Sequence, residues 1–212
     1  MTDFPVLALL VLLPLGGALV VAFIPEQRRD LILPVTVAIT TLPLAVTLWI
    51  LWRFEVGEPG FQLTERVLWF SPWDVSWNVG IDGISLLLVV LTAVMFPISI
   101  LASASITKNV KMYMVSMLVL ETGLLGVFLA LDLLLFFVFF EVTLVPMYLL
   151  IGIWGSENRV YAAVKFVLYT ALGSAVMLAG IIWLAVIAGP DVGGATFDFT
   201  KLLDAELSSG TQ

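Results

Sequence analysis

Leu133-Leu-Leu-Phe-Phe-Val-Phe-Phe-Glu141-Val-Thr-Leu-Val-Pro146-Met-Tyr-Leu-Leu-Ile-Gly-Ile-Trp154 decides the fold. Its twenty-two residues are apolar apart from one carboxylate, one threonine and one tyrosine. A helix of about 20 apolar residues crosses a bilayer. An acid at the centre of such a helix costs about 2.5–3.5 kcal/mol on insertion scales. A carboxylate kept at that cost is by default a functional group, which makes Glu141 the leading candidate for moving protons or ions. The alternative is a carboxylate satisfied by a neighbouring helix, where it serves packing specificity alone. Pro146, five residues on, leaves the carbonyl of Val142 without its ladder partner, so a bend or a water pocket is expected beside Glu141.

Working outward, five more apolar segments satisfy the same length rule. The six expected spans are 5–24, 31–53, 83–104, 111–131, 133–154 and 160–188. The chain is read as an all-α polytopic membrane protein, in keeping with 61% hydrophobic and only 12% charged residues. The links at 25–30, 105–110, 132 and 155–159 are short, so consecutive helices should pack as antiparallel neighbours. Pro34, Pro43, Pro97 and Pro146 should bend their helices. Four regions follow: helices one and two in 1–53, an outer loop in 54–82, helices three to six in 83–188, and an outer tail in 189–212. In the loop, Arg66–Gly80 places two β-prone stretches around Ser71-Pro72-Trp73-Asp74, which predicts a short hairpin. Trp69, Trp73 and Trp77 suit the headgroup belt. The tail opens with Gly189-Pro190 and shows no closing element. The first apolar segment starts at an acid, Asp3, with no basic residues before it, and is read as a retained helix.

Short-loop cations set the expected direction. Arg28, Arg29, Lys108, Lys111 and Arg159 fall on one side, and Arg53, Arg66 and Lys201 on the other. The positive-inside rule then puts the N-terminus outside.

Two further ionisable groups lie within apolar runs. Glu121 sits at the middle of its span near Gly123 and Gly126, whose lack of a side chain lets helices approach. It is either a proton-carrying partner for Glu141, with two close carboxylates driving one pKa upward, or an acid paired by an unseen helix. Lys165 shares a face with Tyr161 and Tyr169 at i, i+4 and i+8. It lies about 8 Å from the expected start of its helix. It is therefore either a proton-handling group supported by the tyrosines or a lysine that snorkels to the surface. Asp82, Ser85, Thr92, Ser99 and Ser103 form a stripe best read as a cap followed by interhelical hydrogen bonds. Asp132 marks a turn.

Composition narrows the chemistry. The chain has no cysteine and no histidine. Disulfides, thiolate-held metals and clusters, and the commonest haem and metal ligand are excluded. No nucleotide fingerprint, phosphate loop or nucleophile elbow is present. No redox cofactor is expected on this chain, nor any metal. A net charge of −7 argues against nucleic-acid binding.

Several runs resemble the M-type antiporter-like membrane subunits of respiratory complex I, NADH:quinone oxidoreductase. They are Val79-Gly-Ile-Asp82-Gly-Ile-Ser85-Leu, Gly126-Val-Phe-Leu-Ala-Leu-Asp132, Phe140-Glu141-Val-Thr-Leu-Val-Pro146-Met-Tyr-Leu-Leu-Ile-Gly-Ile-Trp154-Gly155 and Ala163-Val-Lys165-Phe-Val-Leu-Tyr169-Thr170. The resemblance covers about residues 79–175, and Thr196-Phe-Asp-Phe also fits. It implies a subunit that couples quinone reduction elsewhere in the complex to proton pumping. It also implies other membrane-arm subunits and the lipid bilayer as partners, and a multi-pass place in an energy-transducing membrane, above all the bacterial plasma membrane. NADH, flavin, iron–sulfur clusters and quinone are then expected on other subunits. The family's acid on the fifth helix corresponds to Glu141 and pairs with a lysine on a seventh helix; Lys165 does not match that lysine. The family fold has about fourteen helices in two inverted repeats. Six helices would be its N-terminal portion, so a fragment or truncated product is expected. An Mrp-type cation/proton antiporter subunit is the alternative within the superfamily. A structural membrane subunit without its own proton path is the alternative of another class.

Overall fold

The computed structural model describes residues 5–203 and 205, apart from the side chains of Glu26, Asp191 and Val192. Six helices carry the chain back and forth: α1 Val6–Phe23, α2 Arg29–Arg53, α3 Gly83–Ala102, α4 Val110–Leu129, α5 Leu133–Trp154 and α6 Arg159–Ile187. All six are long and apolar enough to span a membrane. Their limits fall within about two residues of the expected ones, which is the ordinary scatter of helix ends. Each helix runs unbroken through its internal prolines, including Pro14 of α1, which sequence reasoning passed over.

The local causes are plain at several helix starts. Asp82 accepts the Ser85 amide at 2.7 Å while the Ser85 hydroxyl accepts the Asp82 amide at 2.8 Å, a reciprocal cap on α3. Asp132 does more than mark a turn. Its carboxylate accepts the amides of Leu134 and Leu135, capping α5, and also the amide of Ser76 at 2.9 Å. The start of α1 has no local side-chain cap. Its Leu7 and Ala8 amides donate instead to Glu65, 2.6 and 2.9 Å away, from far along the chain.

The loop between α2 and α3 forms the expected hairpin, β1 Gln62–Phe70 against β2 Val75–Ile81, antiparallel. Ser71–Trp73 makes its turn, closed by Asp74 in a left-handed conformation at φ 52°. Trp69 and Trp73 are exposed, as an interfacial belt requires. Trp77 departs from that expectation. It is half-buried and meets Phe139 of α5 edge-on, with ring centroids 5.9 Å apart.

α4 is the centre of the bundle. It packs against α1, α3 and α5, with a smaller contact to α2, while α6 packs on α5. One apolar cluster joins α1, α3, α4, α5 and the hairpin through Leu10, Val79, Val89, Leu125 and Phe139. A second, around Val21, Ile32, Ile100 and Leu118, holds the opposite end together.

The tail has more structure than expected. Two short helices, α7 Gly189–Val192 and α8 Phe199–Leu203, frame a segment that docks on the hairpin. Leu133 donates its amide to Phe197, and Phe199 donates to Leu131. Leu131 in turn donates to Asn78 of β2. The α4–α5 corner is thus held between hairpin and tail. Trp73 stacks on Phe197 at 5.9 Å, and Asp74 gathers Arg66, Lys201 and the Thr196 hydroxyl. Asp3 and, in the tail, residues 204 and 206–212 lie outside the described residues.

Candidate functional site: carboxyl groups inside the bundle

Glu121 is fully buried at the middle of α4. Neither of its carboxyl oxygens has a hydrogen-bond partner among the described residues. A buried polar group without a partner costs free energy, and a carboxyl group costs more than most. The most enclosed helix of the bundle keeps one nonetheless. The two glycines after it explain how α5 comes so close. A Cβ on Gly123 would fall 2.6 Å from the Thr143 side-chain carbon, and one on Gly126 would collide with the Phe139 ring. This is the close approach that the small residues foretold.

Glu141 lies on α5, half-buried, with Oε1 enclosed and without a partner among the described residues. It opens onto a largely apolar cavity of about 280 Å³ between α5 and α6, which Leu144, Val145, Tyr148, Val167 and Ala171 also line. The Tyr148 hydroxyl is the other polar side-chain group in that lining. Sequence reasoning missed Tyr148. Its signal was available: seven residues separate it from Glu141, two helical turns along one face. Pro146 is buried on the same helix. Neither Pro146 nor Val142 lines the cavity beside Glu141, so its origin lies in the packing of α5 on α6 and not in the carbonyl that Pro146 frees.

The structure does not bring Lys165 to either acid. Lys165 is exposed on α6, its ammonium 5.8 Å from the centre of the Tyr161 ring. Tyr161 and Tyr169 are exposed on the same face. The face predicted from i, i+4, i+8 spacing exists, and it points away from the other helices. The ion pairs among the described residues all lie outside the bundle, in the Arg66, Asp74, Asp198 and Lys201 group. The polar stripe of α3 follows its bland reading at the Asp82 cap, but its hydrogen bonds are mostly not interhelical. Thr92 and Ser103 bond back to carbonyls of their own helix, and Ser103 also meets the Tyr113 hydroxyl of α4 at 2.8 Å. No group of metal-ligating side chains occurs among the described residues.

Fold and site together define a class: a polytopic membrane protein with unpaired carboxyl groups inside its spanning helices. Known proteins show which membrane proteins this chain is similar to. A family model described as the transmembrane part of NADH:quinone oxidoreductase and Mrp antiporters matches residues 130–211, which include Glu141 and Lys165. The chain is 38% identical over 95% of its length to NAD(P)H-quinone oxidoreductase chain 4 2 of Trichodesmium erythraeum, of which it covers 36%. It is 40% identical over 86% of its length to NADH-quinone oxidoreductase subunit M of Rhodobacter capsulatus, again covering 36%. Among solved structures it resembles a chain of respiratory complex I from Thermus thermophilus, with a TM-score of 0.80 and 28% identity over 95% of this chain and 40% of that one. A chain of the Mrp complex from Dietzia shares the fold, with a TM-score of 0.69 at 19% identity over 89% of this chain and 20% of that one. Over most of its length the chain is thus similar to proteins named subunit M or chain 4 of NADH- and NAD(P)H-quinone oxidoreductases. It spans little more than a third of the length of the curated relatives it matches.

Proposed function

We propose that the chain forms part of a proton-translocating membrane subunit of an NADH:quinone oxidoreductase, with Glu141 as its principal proton-exchanging group. The observation that supports this most is Glu141 itself. A carboxyl oxygen is enclosed in the bundle without a bonded partner, next to a cavity bearing a tyrosine hydroxyl. A group there can take or release a proton without first breaking an ion pair. Glu121, deeper in α4, extends the set of proton-capable groups. Lys165, with Tyr161 and Tyr169, contributes from the exposed face of α6, where it is available to groups beyond these six helices.

In this reading the redox chemistry belongs to other subunits, which carry NADH, flavin, iron–sulfur clusters and quinone. The partners are other membrane-arm subunits, and the site of action is a bacterial plasma membrane with the N-terminus outside. The deciding experiment compares two variants in the intact complex. Glu141→Gln keeps the side chain's shape and removes its exchangeable proton. Glu141→Asp keeps the carboxyl and shortens the side chain by one methylene. Proton transport in sealed vesicles, with assembly checked on native gels, should be nearly abolished in Gln and largely retained in Asp. If packing alone is at stake the order reverses, because an amide costs less to bury than a carboxylate. Near-normal pumping by Glu141→Gln would overturn the proposal.

A further inference from the structure

At the end of the bundle opposite the hairpin, the starts of α2 and α4 enclose a cavity of about 280 Å³. It is lined by Arg29, Ile32, Asn109, Val110, Lys111 and Met112. Two of these six are cations, and no acid is among them. Neither cation forms an ion pair with a described residue. The remaining wall is mainly apolar. Ile32 is buried in the core, and Met112 is exposed on the outer surface. Arg29 is the first residue of α2 and Lys111 the second of α4, so both sit where an apolar span meets the headgroup layer. The first amides of α4 face this end as well. Asn109 enters in a left-handed conformation and its side chain caps none of them.

We propose that this cavity holds the phosphate of an anionic phospholipid, with Arg29 and Lys111 on the headgroup and an acyl chain running past Met112. The occupant is a lipid because charge and apolar surface lie side by side at headgroup depth. A free anion would use only the first, and a zwitterionic lipid would leave its cation facing two of like sign. A planar guanidinium can hold two phosphate oxygens while an ammonium acts as a point charge. Basic pockets between spanning helices have this composition where they recognise anionic headgroups. The bound lipid would tie α2 to the helix that carries Glu121, about 15 Å further along at 1.5 Å per residue. This inference is independent of the proton-path reading.

The test uses the intact protein in nanodiscs made either of phosphatidylcholine alone or with phosphatidylglycerol added. Retained lipid is counted after detergent extraction. The unaltered protein should retain phosphatidylglycerol over phosphatidylcholine. Arg29→Gln with Lys111→Gln should lower that retention by at least about tenfold. Lys108→Gln, a cation of the same loop outside the cavity lining, should leave it unchanged. Arg29→Lys with Lys111→Arg keeps both charges and should retain the lipid, which separates charge from folding should the double glutamine variant fail to assemble. Equal retention of the two lipids by the unaltered protein would overturn the proposal. So would equal loss in the Lys108 variant, or displacement of the lipid by millimolar inorganic phosphate, which would mark a free-anion site instead.

Discussion

Gly126 and Asp74 show how much single positions decide here, one by lacking a side chain and the other by collecting partners. A methyl group on Gly126 would collide with the Phe139 ring, and that ring also supports Trp77 of the hairpin. Gly126→Ala should destabilise the protein by about 1–3 kcal/mol, the usual cost of overfilling a packed contact. A thermal-shift measurement in detergent checks this, and an unchanged midpoint would mean that α4 and α5 are less tightly apposed than described. Asp74 makes its case through pH. Burial pushes its pKa upward, but hydrogen bonds from Lys201 and Thr196 and the charges of Arg66 and Lys201 outweigh it, and the net shift is downward. A carboxylate with a depressed folded pKa adds stability above its unfolded value, and that stability is lost as pH falls through the folded pKa. The Asp74 contribution should therefore disappear below about pH 4. Glu65 and Asp132 are shifted the other way, mainly by burial. Their contributions fade as pH rises, so the comparison must be between Asp74→Asn and the unaltered chain. Fluorescence of Trp73, isolated by difference from Trp73→Phe, should report an acid transition that Asp74→Asn lacks. These partnerships were illegible in the sequence because Asp74 and Lys201 are joined only by folding. Glu121 and Glu141 were legible because a charge in an apolar run announces itself.

Among the elements, the spanning helices could be read almost to the residue, since length and hydropathy alone define them. The hairpin was equally plain from its turn chemistry, whereas its attachments were not. Glu65 of β1 caps α1, and nothing near α1 advertises the need for a distant acceptor. Glu65→Ala should leave two amides of α1 without partners and cost about 1–2 kcal/mol, in the range of lost helix caps. Glu65→Gln keeps one acceptor oxygen and should cost less. Hydrogen exchange at Leu7 and Ala8 would show the loss directly, and unaltered protection in Glu65→Ala would exclude the cap. The order within the tail was hidden in the sequence for a related reason. Its short α7 and α8 carry little periodicity, and what orders them is the Phe197 and Asp198 contact with the α4–α5 corner.

For the whole molecule, α6 is the open side. Gly173 and Gly180 have empty space where a Cβ would go and lie on the exposed surface, as a docking face for further helices requires. Ser174, beside Gly173 in the chain, is buried instead. Gly173→Leu should then leave the chain's own stability within about 0.5 kcal/mol, as surface changes do, while lowering its recovery in a membrane complex on native gels. Full recovery would make that face free lipid-facing surface. Orientation has a separate test. Reporters fused near residues 29, 108 and 157 should read cytoplasmic, and those near 60 and 200 external; the reverse pattern would invert the assigned direction. The pinned corner between α4 and α5 also sets an order of events during synthesis. Asn78, the acceptor for Leu131, leaves the ribosome before the corner does, but Phe197, the acceptor for Leu133, emerges only after two more spanning helices, α5 and α6. The two acid-bearing helices must therefore enter the membrane with one side of their junction still unlatched, and only the arrival of the tail closes it behind them.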